Sequence, residues 1–256
     1  MFKLLFLSGL GNHIAIELSY SKISAYNFCP WKYKLLYEDG FRTPPTPQIS
    51  LGQTIHRTLE KYHQEKKLTM DAMLETYDEQ WVNDGFTNAQ QTVHYYEKGQ
   101  KMLEQYFEFS QNRKSEIVKI EQEFKVPIGK RILRGIVDRI DRLPDGTYEV
   151  IDYKTHAEMW DTARIDNDLQ LTLYSIGCKR GFDIQPSVLS YFFLAHSALV
   201  STHRSVEQEE KALADLEIVA QKIEQKNFVA DTKNCYRCDF KMTCKYSAVK
   251  KNETKN

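Results

Sequence analysis

The sequence predicts an α/β fold in which a small mixed β-sheet is flanked by helices. The chain has 256 residues, of which 41% are hydrophobic, so it is long enough and apolar enough to bury a core. Segments with the two-residue apolar period of strands lie between segments with the 3.6-residue period of helices. Their order is helix, three strands, helix, strand and helix, which is typical of an α/β core.

The N-terminal part of the chain is predicted to be helical. Residues 19–37 have the pattern of short helical pieces interrupted at Cys29-Pro30, because proline removes a backbone donor. Residues 51–66 form an amphipathic pattern with His56 at the edge of the buried face. Residues 68–113 predict a helical insertion of two or three helices. Because residues 68–110 hold eight acids against two lysines (2 − 8 = −6), we expect a solvated insertion without chemistry.

The central part of the chain predicts the sheet. Its turns, Gly129-Lys130 and Pro144-Asp145-Gly146, are hairpin signals that separate three consecutive strands. The predicted strands are 117–128, 131–143, 147–154 and, further on, 187–194; the predicted helices between and after them are 168–179 and 206–226. One domain is predicted over residues 19–246. Residues 1–18 are then an extension and residues 247–256 a disordered tail.

Composition sets limits on compartment and partner. Lys plus Arg (35) equals Asp plus Glu (35), so the total charge favours neither nucleic acid nor membrane. No segment approaches the ~18 apolar residues that span a bilayer, and the short apolar start lacks a cleavage site. Five cysteines are an odd number, which argues against a disulfide framework and for metal ligation. We therefore expect a cytoplasmic protein with no membrane partner.

Acidic residues on two neighbouring strands point to a metal site. Asp152 and Lys154 are two residues apart and share one face of a strand, and a hairpin partner carries Asp138. The strands are apolar enough to be central, where an unpaired carboxylate is costly. Paired carboxylates suit Mg²⁺ or Mn²⁺, and Lys154 can orient the attacking water. The alternative is a surface ion pair, which contributes little to stability.

Four motifs occur in a characteristic order: Gly52-x-x-x-His56, Gly135-x-x-Asp138, Asp152-x-Lys154 and Gln170-x-x-x-Tyr174. Together they resemble the RecB-type nuclease branch of the PD-(D/E)XK superfamily over residues 19–246. The resemblance implies a restriction-endonuclease-like core.

The resemblance also implies roles for the motif residues. Asp138 and Asp152 would bind the metal ion together with the main-chain carbonyl of Tyr153. His56 would be a further ligand, and Lys154 would be the catalytic lysine. Gln170 and Tyr174 would face the DNA or the active site.

Each of these residues has a plainer interpretation. His56 could be a packed helix histidine, and Gln170 with Tyr174 the edge of an amphipathic helix. Asp141 is a rival to Asp138, although the Gly-x-x-Asp spacing favours Asp138. Glu121 and Glu123 are expected to be exposed strand residues.

The cysteines predict a metal-binding site that joins two distant parts of the chain. Cys235, Cys238 and Cys244 lie within ten residues, and Cys29 is the fourth candidate ligand, far upstream. Four thiolates suit a structural zinc or an iron–sulfur cluster, and spacing alone does not decide between them. The arrangement resembles cluster-bearing members of the branch: AddB, CRISPR-associated adaptation nucleases and eukaryotic helicase-nucleases. That resemblance implies a [4Fe–4S] cluster held by Cys29 and residues 228–246.

The sequence thus predicts a metal-dependent DNA nuclease, and the resemblance alone implies an exonuclease that acts on single-stranded or frayed ends. Residues 125–142 (six bases against two acids) and 228–256 (seven against three) are locally basic and could bind phosphates. The expected pathway is DNA repair and recombination or CRISPR spacer processing, with a helicase or integrase-type partner. The alternatives are a catalytically silent DNA-binding or assembly module and an RNA nuclease.

Overall fold

The computed structural model describes residues 16–65 and 68–249. Most of the predicted N-terminal extension (1–18) and of the predicted tail (247–256) lies outside these residues. The strands are β1 (Glu17–Leu18), β2 (Glu116–Ile128), β3 (Arg131–Arg142), β4 (Tyr148–Lys154), β5 (Pro186–Phe193) and β6 (Ala198–Thr202). The helices are α1 (Tyr20–Phe28), α2 (Pro30–Tyr33), α3 (Pro47–Gln64), α4 (Met70–Gln80), α5 (Ala89–Gln111), α6 (Thr162–Asp166), α7 (Leu169–Gly181) and α8 (Val206–Glu224).

The strands form one mixed sheet with β3 at its centre. β2 pairs antiparallel with β3 along its whole length. The other edge of β3 pairs in parallel with β1 at its start and antiparallel with β4 at its end. β4 pairs in parallel with β5, and β5 pairs antiparallel with β6. The predicted fold class, a mixed sheet flanked by helices, is therefore confirmed.

Both faces of the sheet are buried under helices. Successive residues of β4 and β5 point to opposite sides, so these strands contribute side chains to the core on each face. Val150, Leu189 and Tyr191 enter a core closed by α1, α7 and α8. Ile151 and Phe192 enter a second core closed by α3, α4 and α5. The same alternation places the side chains of Asp152 and Tyr153 on opposite faces of the sheet.

The motif glycine Gly135 is required for packing. A Cβ atom at Gly135 would lie 2.5 Å from the ring of Phe124, and one at Gly177 would lie 2.4 Å from the same ring. Phe124 is buried and joins β2 to α7 through the space that the two glycines leave. The ring thus fixes the helix carrying Gln170 against the strand carrying Asp138.

The predicted helical insertion contains two helices, α4 and α5, each with a buried face. Met73, Tyr77, Leu103 and Tyr106 are fully buried and pack in the second core. The acidic residues that set the charge of this segment lie on its exposed faces. The expectation of a solvated segment therefore holds only for those outer faces, because the inner faces close one side of the sheet.

Local signals explain where α3 begins. Pro47 occupies the first helical turn, where its missing N–H costs nothing, and the Thr46 side chain accepts from the Ile49 amide. The helix therefore starts four residues before the predicted Leu51. None of the helices in the described part of the chain combines the length and apolar character needed to span a lipid bilayer.

Candidate active site

Three sequence-distant elements bring potential metal ligands together at one point of the sheet. His56 comes from α3, Glu121 from β2 and Asp138 from β3. One ligand atom from each lies within 4.8 Å of the others. Asp152 and Lys154 of β4, the strand next to β3, complete the site on its other side.

His56 is placed among oxygen acceptors. Its Nδ1 lies 3.4 Å from Oε1 of Glu121 and 3.5 Å from Oδ2 of Asp138. Its Nε2 lies 3.2 Å from the carbonyl oxygen of Tyr153. Burial alone would lower the pKa of His56, but the carboxylates, Asp138 first, outweigh it and raise that pKa to about 9. The imidazolium thus stands where these acceptors would surround a cation.

Asp138 is a buried carboxylate, with 6% relative exposure. Its Oδ2 accepts a hydrogen bond of 2.8 Å from the backbone amide of Tyr153. Burial, together with the negative charges of Asp152 and Glu121, raises the pKa of Asp138 to about 7 despite the opposing effect of His56. A carboxylate held at this cost favours a positively charged partner.

Asp152 and Lys154 share one face of β4, as predicted. Nζ of Lys154 lies 2.7 Å from Oδ2 of Asp152, yet within the described chain no hydrogen bond of ordinary geometry reaches that buried oxygen. Burial lowers the pKa of Lys154, and the Asp152 carboxylate more than compensates, so the ammonium stays charged. The rings of Tyr191 and Trp160 lie 4.4 and 5.5 Å from Nζ and limit its movement.

Gln170 connects the motif residues of α7 to this pair. Its Oε1 accepts a hydrogen bond of 2.9 Å from Lys154, and its Nε2 lies 2.9 Å from Oδ1 of Asp152. The same Nε2 donates to the Tyr174 hydroxyl at 2.9 Å. Burial raises the pKa of Tyr174 well above its usual value, so the hydroxyl is neutral. Gln170 and Tyr174, one helical turn apart, therefore both face the site.

Glu121 is not the exposed strand residue that the sequence predicts, and that prediction is wrong. Its side chain is 19% exposed and lies in the ligand group. The pairing of Ile120 with Arg139 and of Gln122 with Val137 places Glu121 opposite Asp138. Its backbone is left-handed, with φ of 41°, which is rare for glutamate and is often found at functional sites. Cross-strand register is the sequence signal that could have found it. Glu123 remains at the surface.

Asp141, the rival to Asp138, lies outside the site. It is fully buried and accepts from Nε of Arg139 at 2.5 Å and from the Ser115 hydroxyl at 2.5 Å. Arg139 in turn donates to the Tyr106 hydroxyl at 2.8 Å, and that hydroxyl is 2.8 Å from the Tyr153 hydroxyl. Asp141 therefore belongs to a separate buried hydrogen-bond network with Arg139 and Ser115.

The four predicted cluster cysteines meet in one cavity. Cys29, Cys235, Cys238 and Cys244 all line it, together with Phe28 and other residues of the two chain segments. The Asp231 amide donates to Sγ of Cys29 at 3.4 Å. Cys178 is separate: it is fully buried among apolar neighbours of the first core, and burial raises its pKa to about 12.

Comparison with known proteins agrees with this geometry. The family described as the PD-(D/E)XK nuclease superfamily matches residues 17–245. The chain belongs to this superfamily. The match contains every motif residue from His56 to Tyr174 and reaches the last of the clustered cysteines, Cys244.

Curated relatives share the superfamily domain. The chain is 28% identical over 189 residues to an ATP-dependent helicase/deoxyribonuclease subunit from Streptococcus equi subsp. zooepidemicus, covering 66% of this chain and 17% of that protein. It is 38% identical over 72 residues to the subunit of the same name from Streptococcus pyogenes serotype M6, covering 27% and 7%. The chain thus spans less than a fifth of the relatives that it matches.

A solved structure shares the fold. A crystal structure from Eubacterium rectale, described as that of a candidate exonuclease, superimposes with a TM-score of 0.51 at 11% identity. The match covers 82% of this chain and 80% of the other. At this identity the likeness supports the fold of the superfamily domain and not a shared substrate.

Proposed function

We propose that this chain is a metal-dependent DNA nuclease, an exonuclease that acts on single-stranded or frayed ends. The observation that carries the proposal is the convergence of His56, Glu121 and Asp138 beside the Asp152–Lys154 pair. The names of the curated relatives, which include helicase and deoxyribonuclease, support DNA as the substrate. The preference for DNA ends over internal sites is a further part of the proposal.

The donor set fits Mg²⁺ or Mn²⁺. Carboxylate oxygens are the ligands that both ions prefer, and one imidazole suits Mn²⁺ in particular. Asp138, Asp152, His56 and the Tyr153 carbonyl would hold the ion, with Glu121 as an added ligand. The buried carboxylate of Asp138, which lies with a nitrogen of His56 and a carboxylate oxygen of Glu121 in one group, supports this fit. When bound, the ion supplies Lewis-acid activation of water and of the phosphate.

The remaining site residues place charge and protons around the reacting phosphate. Lys154 offers an ammonium that stabilises negative charge developing on the phosphate oxygens. The side-chain carbonyl of Gln170 accepts from this ammonium, and the side-chain amide of Gln170 donates to the Asp152 carboxylate. Tyr174 fixes the Gln170 amide. The two amide contacts keep Lys154 and Asp152 in a fixed relative position before substrate binds.

We also propose that Cys29, Cys235, Cys238 and Cys244 bind a [4Fe–4S] cluster. Their common cavity supports metal ligation. The choice of a [4Fe–4S] cluster over zinc rests on the sequence resemblance to cluster-bearing members of the branch, because four thiolates suit either group. The cluster would join α1 to the C-terminal segment and add folding free energy.

The wider context is proposed from the relatives. Their names place them in a helicase/deoxyribonuclease, and the matched region is a small part of their length. We therefore propose a helicase partner for this chain and a role in DNA repair and recombination. The alternative, an integrase-type partner in CRISPR spacer processing, rests on the sequence resemblance to CRISPR-associated adaptation nucleases. The free cysteines of the described chain suit the reducing cytoplasm.

The test is a cleavage assay with Mn²⁺ or Mg²⁺ on end-labelled linear DNA, closed circular DNA and RNA of the same sequence. We expect cleavage of linear DNA by the wild-type chain, loss of about 10²- to 10³-fold in Lys154→Ala, and unchanged activity in Lys211→Ala. Lys211 is a suitable control because it is an exposed α8 lysine with 75% side-chain exposure. Equal activity of both variants contradicts the role of Lys154.

The substrates separate the alternatives. Cleavage of circles contradicts the exonuclease assignment, and preference for RNA contradicts the DNA assignment. Binding of DNA without cleavage under either metal contradicts the enzyme assignment and favours a silent assembly module.

A further inference from the structure

An open groove lies between α1 and the stretch that runs from α6 to the start of α7, next to the proposed active site. Its α1 wall carries Tyr20, Ser24 and Asn27, and its opposite wall carries Arg164, Asn167 and Asp168. We propose that this groove binds the unpaired DNA strand next to the scissile phosphate, and that Arg164 contacts a backbone phosphate there. The proposal rests on the proposed nuclease function and specifies how its substrate is held.

The groove adjoins the proposed active site at Asp168. Oδ1 of Asp168 accepts from the Tyr191 hydroxyl at 2.6 Å, and the Tyr191 ring lies 4.4 Å from the Lys154 ammonium. Burial, followed by the Asp168 carboxylate, raises the pKa of Tyr20, so its hydroxyl keeps its proton and can donate to a substrate oxygen.

A second connection runs through Trp160. Its ring lies 5.5 Å from the Lys154 ammonium and 3.8 Å from the Arg164 guanidinium carbon. The ring is held from inside by Tyr191 and Phe193, with centroids 5.1 and 5.9 Å away. The same indole therefore neighbours both cations, which places Arg164 close to Lys154.

Arg164 is available to a phosphate. It forms an ion pair of 3.1 Å with Glu158, and the two side chains are 49% and 70% exposed. Such pairs contribute about 0–1 kcal/mol, so a phosphate can replace Glu158 at little cost. A guanidinium already stacked on an aromatic ring loses less freedom on binding than a free side chain.

The lining favours a single strand over a duplex. Arg164 is its basic residue, while Ser24, Asn27 and Asn167 are neutral hydrogen-bonding groups that suit sugars and unpaired bases. The carboxylate in the groove, Asp168, is engaged: its Oδ1 accepts from the Tyr191 hydroxyl at 2.6 Å and from the Leu171 amide at 3.0 Å. A duplex backbone would require several more cations.

The test measures binding of a fluorescein-labelled oligothymidylate by anisotropy in metal-free buffer, from about 50 to 200 mM NaCl. The full-length chain is purified anaerobically as wild type, Arg164→Gln and Arg180→Gln. Arg180 is a matched control because it is an exposed arginine near the C-terminal end of α7, whereas the groove lies at the N-terminal end of that helix. For Arg164→Gln we expect roughly tenfold weaker binding and a slope of log K against log salt that is smaller by about 0.7. Arg180→Gln should match wild type.

An unchanged salt slope in Arg164→Gln overturns the proposal. An equal loss of affinity in Arg180→Gln also overturns it, because that result would indicate a general electrostatic attraction and not a contact at Arg164. Cleavage of the same oligothymidylate by the wild-type chain with Mn²⁺ is measured in parallel. Its absence contradicts the nuclease function alone, while the slope still decides the groove. Wild-type protein that binds no oligothymidylate contradicts both.

Discussion

Nδ1 of His56 lies 3.4 Å from Oε1 of Glu121, although the two residues are 65 positions apart in the chain. This contact joins α3 to β2 at the point where Asp138 of β3 faces both. Glu121 has a left-handed backbone, with φ of 41°, and its carboxylate lies in this group. Glu121 is therefore a member of the site that none of the four sequence motifs contains.

Glu121→Gln should weaken metal-dependent cleavage about 10- to 100-fold and raise the Mn²⁺ concentration needed for half-maximal activity. The reason is the loss of one carboxylate from the ligand group. Glu123→Gln is the matched control, since Glu123 is two residues away, 38% exposed and paired with Arg134. A titration of activity against Mn²⁺ checks this. Equal behaviour of the two variants would remove Glu121 from the site.

Metal binding should release protons. Without metal, the pKa of His56 is about 9 and that of Asp138 is about 7, so His56 is protonated at pH 8 and both are protonated at pH 6. A metal ion must displace these protons, so the Mn²⁺ affinity should rise as pH increases from about 6 to 9. Calorimetry in two buffers of different ionisation enthalpy counts the protons. Binding at pH 6 without proton release contradicts the ligand assignment.

His63 should make folding stability depend on pH. Burial, followed by the charge of Arg139, lowers its pKa from 6.5 to about 3. Below pH 6.5 the unfolded chain binds a proton that the folded chain excludes, so stability is lost as pH falls from 6.5 towards 3. At pH 5 this is about 2 kcal/mol. Urea unfolding at pH 7 and pH 5 should show a smaller difference for His63→Gln; an equal difference contradicts this origin.

Gly135→Ala should destabilise the fold by about 1–3 kcal/mol, because the added Cβ would overlap the Phe124 ring. Phe124→Leu in the same chain should relieve part of this cost. Urea unfolding of the two single variants and the double variant measures the coupling, which we expect to exceed about 0.5 kcal/mol. Additive effects would show that the glycine is not needed for this contact.

Cys29→Ser should lose bound iron and sulfide, because Cys29 is the remote ligand of the proposed cluster. Cys178→Ser should retain both, since Cys178 is a residue of α7 whose side chain is buried in the first core. Elemental analysis after anaerobic purification checks the two variants beside wild type. A colourless wild-type protein that contains zinc alone would contradict the cluster.

Much of the sheet is predictable because its apolar alternation and turn residues are local signals. The predicted bounds of β2, β3 and β4 agree with the structure within one residue at each end. The short strand β6 is absent from the prediction, since it has five residues and follows a left-handed turn at Ser197, where no glycine marks the turn.

The motif residues of the site are predictable from the sequence, but their surroundings are not. Glu121 could have been found from the β2–β3 register, which places it opposite Asp138, but alternation does not predict its left-handed backbone. Tyr106 contacts Arg139 and Tyr153 only through tertiary packing of α5 on the sheet. Such contacts depend on how elements pack, which residue spacing does not encode.

The most direct test of the site is the position of a bound metal ion. Crystals of the chain grown with Mn²⁺ and measured at the manganese absorption edge would show it by anomalous scattering. We predict one strong peak among His56, Glu121, Asp138 and Asp152, beside the Lys154 ammonium. A peak elsewhere, or none at a Mn²⁺ concentration that supports cleavage, would contradict this account.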